Sequence, residues 1–396
     1  MTPVTLSRSL LAPRLAQAAE DLCRTAEDAG WHGPDAYDGL WIDWPRVLVA
    51  GRRRRQAIIQ LHAKSPVDVR RLYRRSHSLI PKTLAVFASA RLRLHDVDGA
   101  GRHIEAATRA LDELVAERSS GSPGWGYPWP VQTRWSYSPA HNPNIVVTAF
   151  SALALHDAGE RLGVERYSDR AFEAAEWVRR ELFVPAGGYY RYHPESDAVI
   201  HNGNLLAARV VSRILGQRDE SVHDAVARAV ERTLRAQTAD GAWPYGEGAN
   251  LTFVDSFHTA YVLESLASLP GADSRRTNAL QRGARYWIDH FFGPAGEARL
   301  WPDRRYPEDA HAAGSALTAL SHLSRLRLVD PSVAPRVAHR AVSAMIRDGH
   351  AVYRRSRWGA WRVHYPRWAD SHLALGLANA ACALADPNHR EDRVAV

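Results

Sequence analysis

Five times along this chain a turn carrying paired aromatics interrupts an otherwise helical pattern. The copies read "GWGYPW" at Trp125, "GGYYRY" at Tyr189, "DGAWPY" at Trp243, "ARLWPDRRY" at Trp301 and "HAVYRRSRWGAW" at Tyr353, spaced 52 to 64 residues apart. That interval fits one helical hairpin with its loops. Before a loop stands a one-sided helix such as "HDAVARAVERTLRAQ", in which Val226, Val230 and Leu234 form a stripe and Arg228, Arg232 and Arg235 point away. After the loop comes a helix that is small and apolar nearly all round: "NIVVTAFSALALHDAG", "NLLAARVVSRILG", "FHTAYVLESLASL", "HAAGSALTALSHL" and "HLALGLANAACAL". These read as outer and inner helices, and "LIPKTLAVFASARLRL" (79–94) adds a sixth inner one.

A unit of this kind cannot bury its apolar face alone, so neighbours must cover it. Six pairs close into an all-α (α/α)6 toroid, a double ring of about twelve helices made of six helical hairpins. An open superhelix is the alternative, but its repeats run shorter, about 34 to 47 residues, without aromatic loops. The sequence predicts one toroid domain over residues 31–390, preceded by an extra amphipathic helix over 1–30.

With 396 residues, 45% of them hydrophobic, the chain can bury such a core. It has no apolar run of 18 residues, so no membrane span is expected, and its first 30 residues lack a secretory apolar stretch. Cys23 and Cys382 are isolated, which fits a cytoplasmic protein with buried thiols better than a disulfide framework or a zinc cluster. The net charge of +8 comes almost wholly from arginine, Lys64 and Lys82 being the two lysines. The densest run, "GRRRRQ" (51–56), carries no DNA- or RNA-binding signature around it and reads as a solvated helix face. No nucleic-acid partner is expected; the basic surface suits weak association with anionic surfaces.

Each inner helix from the second onward begins with polar residues: His141, Asn142 and Asn144; His201, Asn202 and Asn204; Asp255 and His258; Asp309 and His311; Asp370 and His372. In a toroid these starts converge on one mouth. Capping of free backbone N–H groups accounts for an Asp or Asn singly, but histidine is not a preferred cap. The joint pattern predicts a polar cavity rimmed by the aromatic loops. Asp255, His258, His201, Asp309, His311, Asp370, His372 and Tyr245 are the catalytic candidates. Trp125, Tyr127, Trp129, Arg134, Asn142, Asn202, Asn204, Trp243, Trp301 and Trp368 are the substrate-binding candidates, with Trp135 beside them. Trp243 and Trp301 have a second reading, as plugs between neighbouring hairpins. Asp255 and His258 lie three apart, on one helix face, close enough to act together.

"RTLRAQTADGAWPY", with Gln237, Gly241 and Trp243, resembles the Gln–Trp repeat of squalene-cyclase and protein-prenyltransferase toroids. A wider resemblance, from about residue 30 to 384, is to bacterial α/α-toroid proteins associated with exopolysaccharide biosynthesis. It rests on "GPDAYDGL", "GWGYPWPVQTRW", "NPNIVVTAF", "NGNLLAARV", "DGAWPYGE", "VDSFHTAY", "YPEDAHAAGSAL" and "YPRWADSHLALGL". The terpenoid machinery itself is missing. The nearest string to a DxDD acid is "DVDG" (96–99), there is no DDxxD, and neither cysteine lies in a repeat loop to hold zinc. No metal and no cofactor are expected.

Three function classes stay open. The first is a carbohydrate-active enzyme (lyase, epimerase or hydrolase) acting on a polysaccharide or acidic sugar, met as a small-molecule or oligosaccharide substrate, in polysaccharide biosynthesis or modification. Hydrolysis would draw two carboxylates from Asp255 with Asp309 or Asp370; uronate elimination or epimerisation would draw a His or Tyr base and an Arg or Asn to neutralise the carboxylate. The second is a terpenoid or polyene cyclase with Asp255 as an atypical acid. The third is a non-catalytic glycan-binding or scaffold toroid.

Overall fold

The computed structural model describes residues 5–41, 45–65, 67–72, 79–118, 121–216, 219–361, 363–385 and 393–395. A long helix α1 (Arg8–Asp28) is followed by the short α2 (Arg46–Val49) and by α3 (Arg52–Lys64). Inner and outer helices then alternate: α4 (Pro81–Asp98), α5 (Gly101–Ala116), α6 (Ile145–Leu162), α7 (Glu165–Trp177), α8 (His201–Ile214), α9 (Val222–Arg235) and α10 (Ser256–Ser268). They continue through α11 (Ser274–Phe291), α12 (Ala310–Arg325), α13 (Val333–Ala344) and α14 (Ser371–Ala385).

Each of α4, α6, α8, α10 and α12 packs against the next inner helix, and α14 packs against both α12 and α4, so the inner ring closes. Each of α5, α7, α9, α11 and α13 covers the inner helix before it, while α1 occupies the outer place against α14 and α4. The molecule is an all-α toroid. Leu11, Leu15, Leu22 and Cys23 of α1 join the same continuous core as the ring helices.

Side-chain size explains the two layers. In α9 the buried residues Val222, Ala229, Val230 and Thr233 form one stripe, as an outer helix requires. The inner helices are buried on most sides and must approach one another closely. A Cβ at Gly314 of α12 would lie 2.2 Å from the backbone oxygen of His372 on α14. Glycine is what lets these two backbones touch.

Inner-to-outer turns are short and lie at one end of the ring. The outer-to-inner connections are long, lie at the other end and hold small hairpins, such as Val131–Gln132 paired with Tyr137–Ser138. Among the described residues no helix is long and apolar enough to cross a membrane. Cys23 and Cys382 are both free thiols.

Candidate functional site

The long connections surround a cavity of about 560 Å³ at the end of the ring where the inner helices begin. Every inner helix contributes its first turn or the segment leading into it: Lys82, Val146, Asn202, Asp255 with His258, His311, and Arg367 with Trp368. The loops add Tyr37, Tyr127, Trp129, Arg134, Trp135, Tyr192, Tyr245, Phe253, Trp301, Tyr353 and Arg354, and α3 adds Gln60, Ala63 and Lys64.

Asp255 stands in extended backbone just before α10 and divides its carboxylate. Oδ1 accepts the His258 amide at 3.0 Å, capping the helix, while Oδ2 lies 2.7 Å from His258 Nδ1. Both readings of this residue therefore hold together, cap and imidazole partner. In the neutral tautomer that donates Nδ1–H to the carboxylate, Nε2 is the acceptor. Tyr245 packs on the His258 ring at 4.5 Å between centroids.

Asp309 repeats the device. Oδ1 accepts the Ala312 amide at 3.0 Å to cap α12, and Oδ2 accepts from Arg354 Nε at 2.7 Å. Asp309 is fully buried and does not line the cavity; it reaches the site through Arg354, which does. Asp370 also lies off the lining, accepting the Ala351 amide at 2.5 Å with His350 Nδ1 at 3.6 Å. Neither aspartate joins Asp255 in the cavity wall. Among the described residues Asp255 is the one carboxylate in that lining, facing Lys64, Lys82, Arg134, Arg304, Arg354 and Arg367.

The floor is a chain of polar groups. Tyr261, one turn beyond His258, places its hydroxyl 2.6 Å from His311 Nε2 and 3.4 Å from His372 Nε2. The two imidazoles stack at 4.0 Å, and burial holds both well below the usual histidine pKa, so they are neutral. Lys82 Nζ lies 3.5 Å from the Tyr261 hydroxyl and 4.2 Å from the centre of the Phe150 ring. Burial pushes its amine well below the ordinary lysine value, and the Arg367 charge adds to that. Arg367 is instead neutralised by Asp35, through bonds of 2.5 and 2.7 Å.

Several expected binding residues, and the catalytic candidates His201 and His372, do not line the cavity. Trp125 is fully buried and donates Nε1 to the Leu114 carbonyl at 3.0 Å. Trp243 is a plug: its ring fills the space a Cβ at Gly283 would need, and Nε1 donates to the Thr233 carbonyl at 3.0 Å. Asn204 spans the Tyr190 amide and the Ala229 carbonyl. His201 is buried against Thr233, its pKa lowered to about 4 by burial. His372 sits behind His311, and Asn142 bonds Ser138 and Glu195. These residues hold loops and helices in place. Trp129, Tyr127, Arg134, Asn202, Tyr245, Trp301, Trp368, Asp255, His258 and His311 do line the space.

Four polar atoms of lining residues are buried without a protein partner: Asn202 Oδ1, His311 Nδ1, Trp129 Nε1 and Trp368 Nε1. These groups can accept or donate hydrogen bonds to whatever fills the cavity, water or ligand. Sequence reasoning missed Lys82, Tyr261, Arg354 and Arg367. For Lys82 the signal existed: one of two lysines in the chain stands at the head of an apolar inner helix.

No family model matches the chain, and no curated protein does. Solved structures do. An unsaturated glucuronyl hydrolase from Bacillus sp. GL1, described as responsible for the degradation of glycosaminoglycan, superposes with TM-score 0.61 at 14% identity, over 92% of this chain and 95% of that one. A cellobiose 2-epimerase from Bacillus thermoamylovorans gives 0.60 at 12%, over 76% and 87%. A polysaccharide lyase gives 0.57 at 11%, over 77% and 90%. At these identities the shared property is the toroid fold.

Proposed function

We propose that this protein is a carbohydrate-active enzyme of epimerase or lyase type that takes the proton beside the carboxylate of an acidic sugar. The observation that carries the reading is the Asp255–His258 pair at 2.7 Å in a wall with no second carboxylate among the described residues. Hydrolysis by two carboxylates needs a partner within about 10 Å that also faces the sugar. Asp309 and Asp370 are engaged elsewhere. Lys64, Arg134 and Arg304, together with the Asp-paired Arg354 and Arg367 and the positive ends of six helices, favour an anion and oppose a carbocation, which counts against terpenoid cyclisation.

In this reading His258 Nε2 removes the proton, and the electron pair flows into the substrate carboxylate. N–H groups of Arg354 and Arg367 not used on their aspartates, with the Lys82 amine as a hydrogen-bond donor, stabilise that charge. For epimerisation a proton returns to the opposite face of the same carbon. For elimination the neighbouring C–O bond breaks, and the leaving oxygen takes a proton from Tyr245 or Tyr261. The aromatic walls suit sugar rings. The solved neighbours' named activities (epimerase, lyase, glucuronyl hydrolase) support sugar chemistry of this kind, and the exopolysaccharide resemblance of the sequence suggests polysaccharide synthesis or modification as the setting.

The test is an acidic-oligosaccharide library in D2O. Proton NMR follows deuterium entering beside the carboxylate, and ultraviolet absorbance follows an unsaturated product. Asp255→Asn keeps a good capping side chain, so it and His258→Gln should melt close to wild type yet turn over roughly 10²- to 10⁴-fold more slowly. Hydrolysis without exchange, or full turnover in either variant, would overturn the assignment.

A further inference from the structure

On the rim of the cavity, outside its lining, three side chains from two loops stand in a row. Ser136 closes the turn of the 131–138 hairpin. Its amide donates to Thr133 Oγ1 at 2.8 Å, and its carbonyl accepts the Thr133 amide at 2.8 Å, so the main chain is fixed without the hydroxyl. Ser136 Oγ lies 2.7 Å from His193 Nε2, and His193 Nδ1 lies 2.9 Å from Glu195 Oε2. Asn142 Nδ2 donates to that same oxygen at 3.3 Å. The other contact of the serine hydroxyl, to the Tyr137 carbonyl, is longer at 3.4 Å.

The surroundings fit reaction more than fastening. His193 is buried and lies parallel to the Trp135 ring at 6.1 Å, which fixes its plane. Ser136 is half-buried rather than enclosed in the core. Burial works against charge on Glu195, but hydrogen bonds from Asn142 and His193 outweigh it and hold the carboxyl below its usual pKa. A serine that only pinned two loops would need one partner. Here the far side of the imidazole is held by a carboxylate, and that carboxylate is steered by an amide.

We propose that Ser136, His193 and Glu195 form a second reactive centre, a serine nucleophile for acyl esters of sugar hydroxyls. With Nδ1–H donated to Glu195, Nε2 accepts the serine proton. Ser136 Oγ then attacks the ester carbonyl carbon, and the bond from that carbon to the sugar oxygen breaks. The sugar oxygen leaves with the proton from His193. Water, deprotonated by His193, next cleaves the acyl-serine, releasing the acid and restoring the hydroxyl. Trp135 braces His193 and also lines the sugar cavity, so the ester class is an acylated saccharide. That last step rests on the carbohydrate reading above; the nucleophile does not.

The full chain is treated with a fluorophosphonate and digested for mass spectrometry, while 4-nitrophenyl acetate hydrolysis is followed by release of nitrophenolate. The expected result is an adduct on Ser136. It should be lost in Ser136→Ala and in His193→Gln, with hydrolysis falling roughly 10²-fold or more. No adduct on Ser136 in the wild type, or wild-type hydrolysis by Ser136→Ala, would overturn the proposal. Glu195→Gln supplies a variant at a side chain that is 66% exposed and so safe for folding. Its labelling should slow about tenfold or more, and an unchanged rate also counts against the triad. Because labelling needs no sugar, its failure leaves the His258 reading standing, and the reverse holds equally.

Discussion

Asp255 and Asp309 each split one carboxylate between a backbone amide and a cavity side chain. The helix start is thereby tied to the orientation of His258 or Arg354, so forming the helix also sets the site. His201 illustrates the opposite case, a polar residue at an equivalent position with a packing role. Its folded pKa of about 4 lies below the ordinary value of about 6.5, so the fold favours the neutral ring. The unfolded chain binds the extra proton in that window, and stability is lost as pH falls from about 6.5 to 4. This site should cost about 2 kcal/mol between pH 7 and 5. Chemical denaturation of wild type and His201→Asn at both pH values measures it, and the variant should show the smaller fall.

The loop-plus-helix elements were the most legible part of the chain, because small apolar inner helices and one-sided outer helices differ in periodicity. The inner starts were legible as polar positions, but not which of them turn inward. Asn202 and Asn204 both satisfied the pattern; one lines the cavity and the other bridges the Tyr190 amide to the Ala229 carbonyl. Side-chain direction depends on where the preceding loop delivers the helix, and no local spacing encodes that. The tryptophans divide for the same reason. Trp125→Ala and Trp243→Ala each empty a buried site and should cost about 3–5 kcal/mol, read as an early melt. Gly283→Ala should destabilise too, since its methyl would sit 2.1 Å from Trp243. By contrast Trp301→Ala, on a half-buried cavity wall, should melt near wild type and lose ligand affinity. Equal melting of Trp243→Ala and Trp301→Ala would refute the division.

At the scale of the whole molecule, the cavity gathers positive charge from parts of the chain far apart in sequence: Lys64, Arg134 and Arg304, with Arg354 and Arg367 offset by Asp309 and Asp35. Their summed attraction is screened over about 10 Å at 0.1 M salt. Raising salt from about 0.05 to 0.5 M should therefore weaken an acidic oligosaccharide roughly three- to tenfold and leave a neutral one of equal length unchanged. Calorimetric titration distinguishes them, and salt-independent binding of the acidic ligand would contradict an anion-selective cavity.

The closure of the inner ring has a consequence for how the protein is made. Helix α4 ends at Asp98, and α14, which covers one of its flanks, begins at Ser371. At ribosomal speeds of about 5–20 residues per second, roughly 15–55 s separate their appearance. Throughout that interval the apolar flank of α4 has no native neighbour on that side, and α12 gains its own only when the same helix arrives. The nascent chain thus lives as an open arc with two sticky edges, and a single late helix removes both. Chaperone demand during translation should therefore concentrate in that window, and a slow codon stretch placed just before α14 would prolong it.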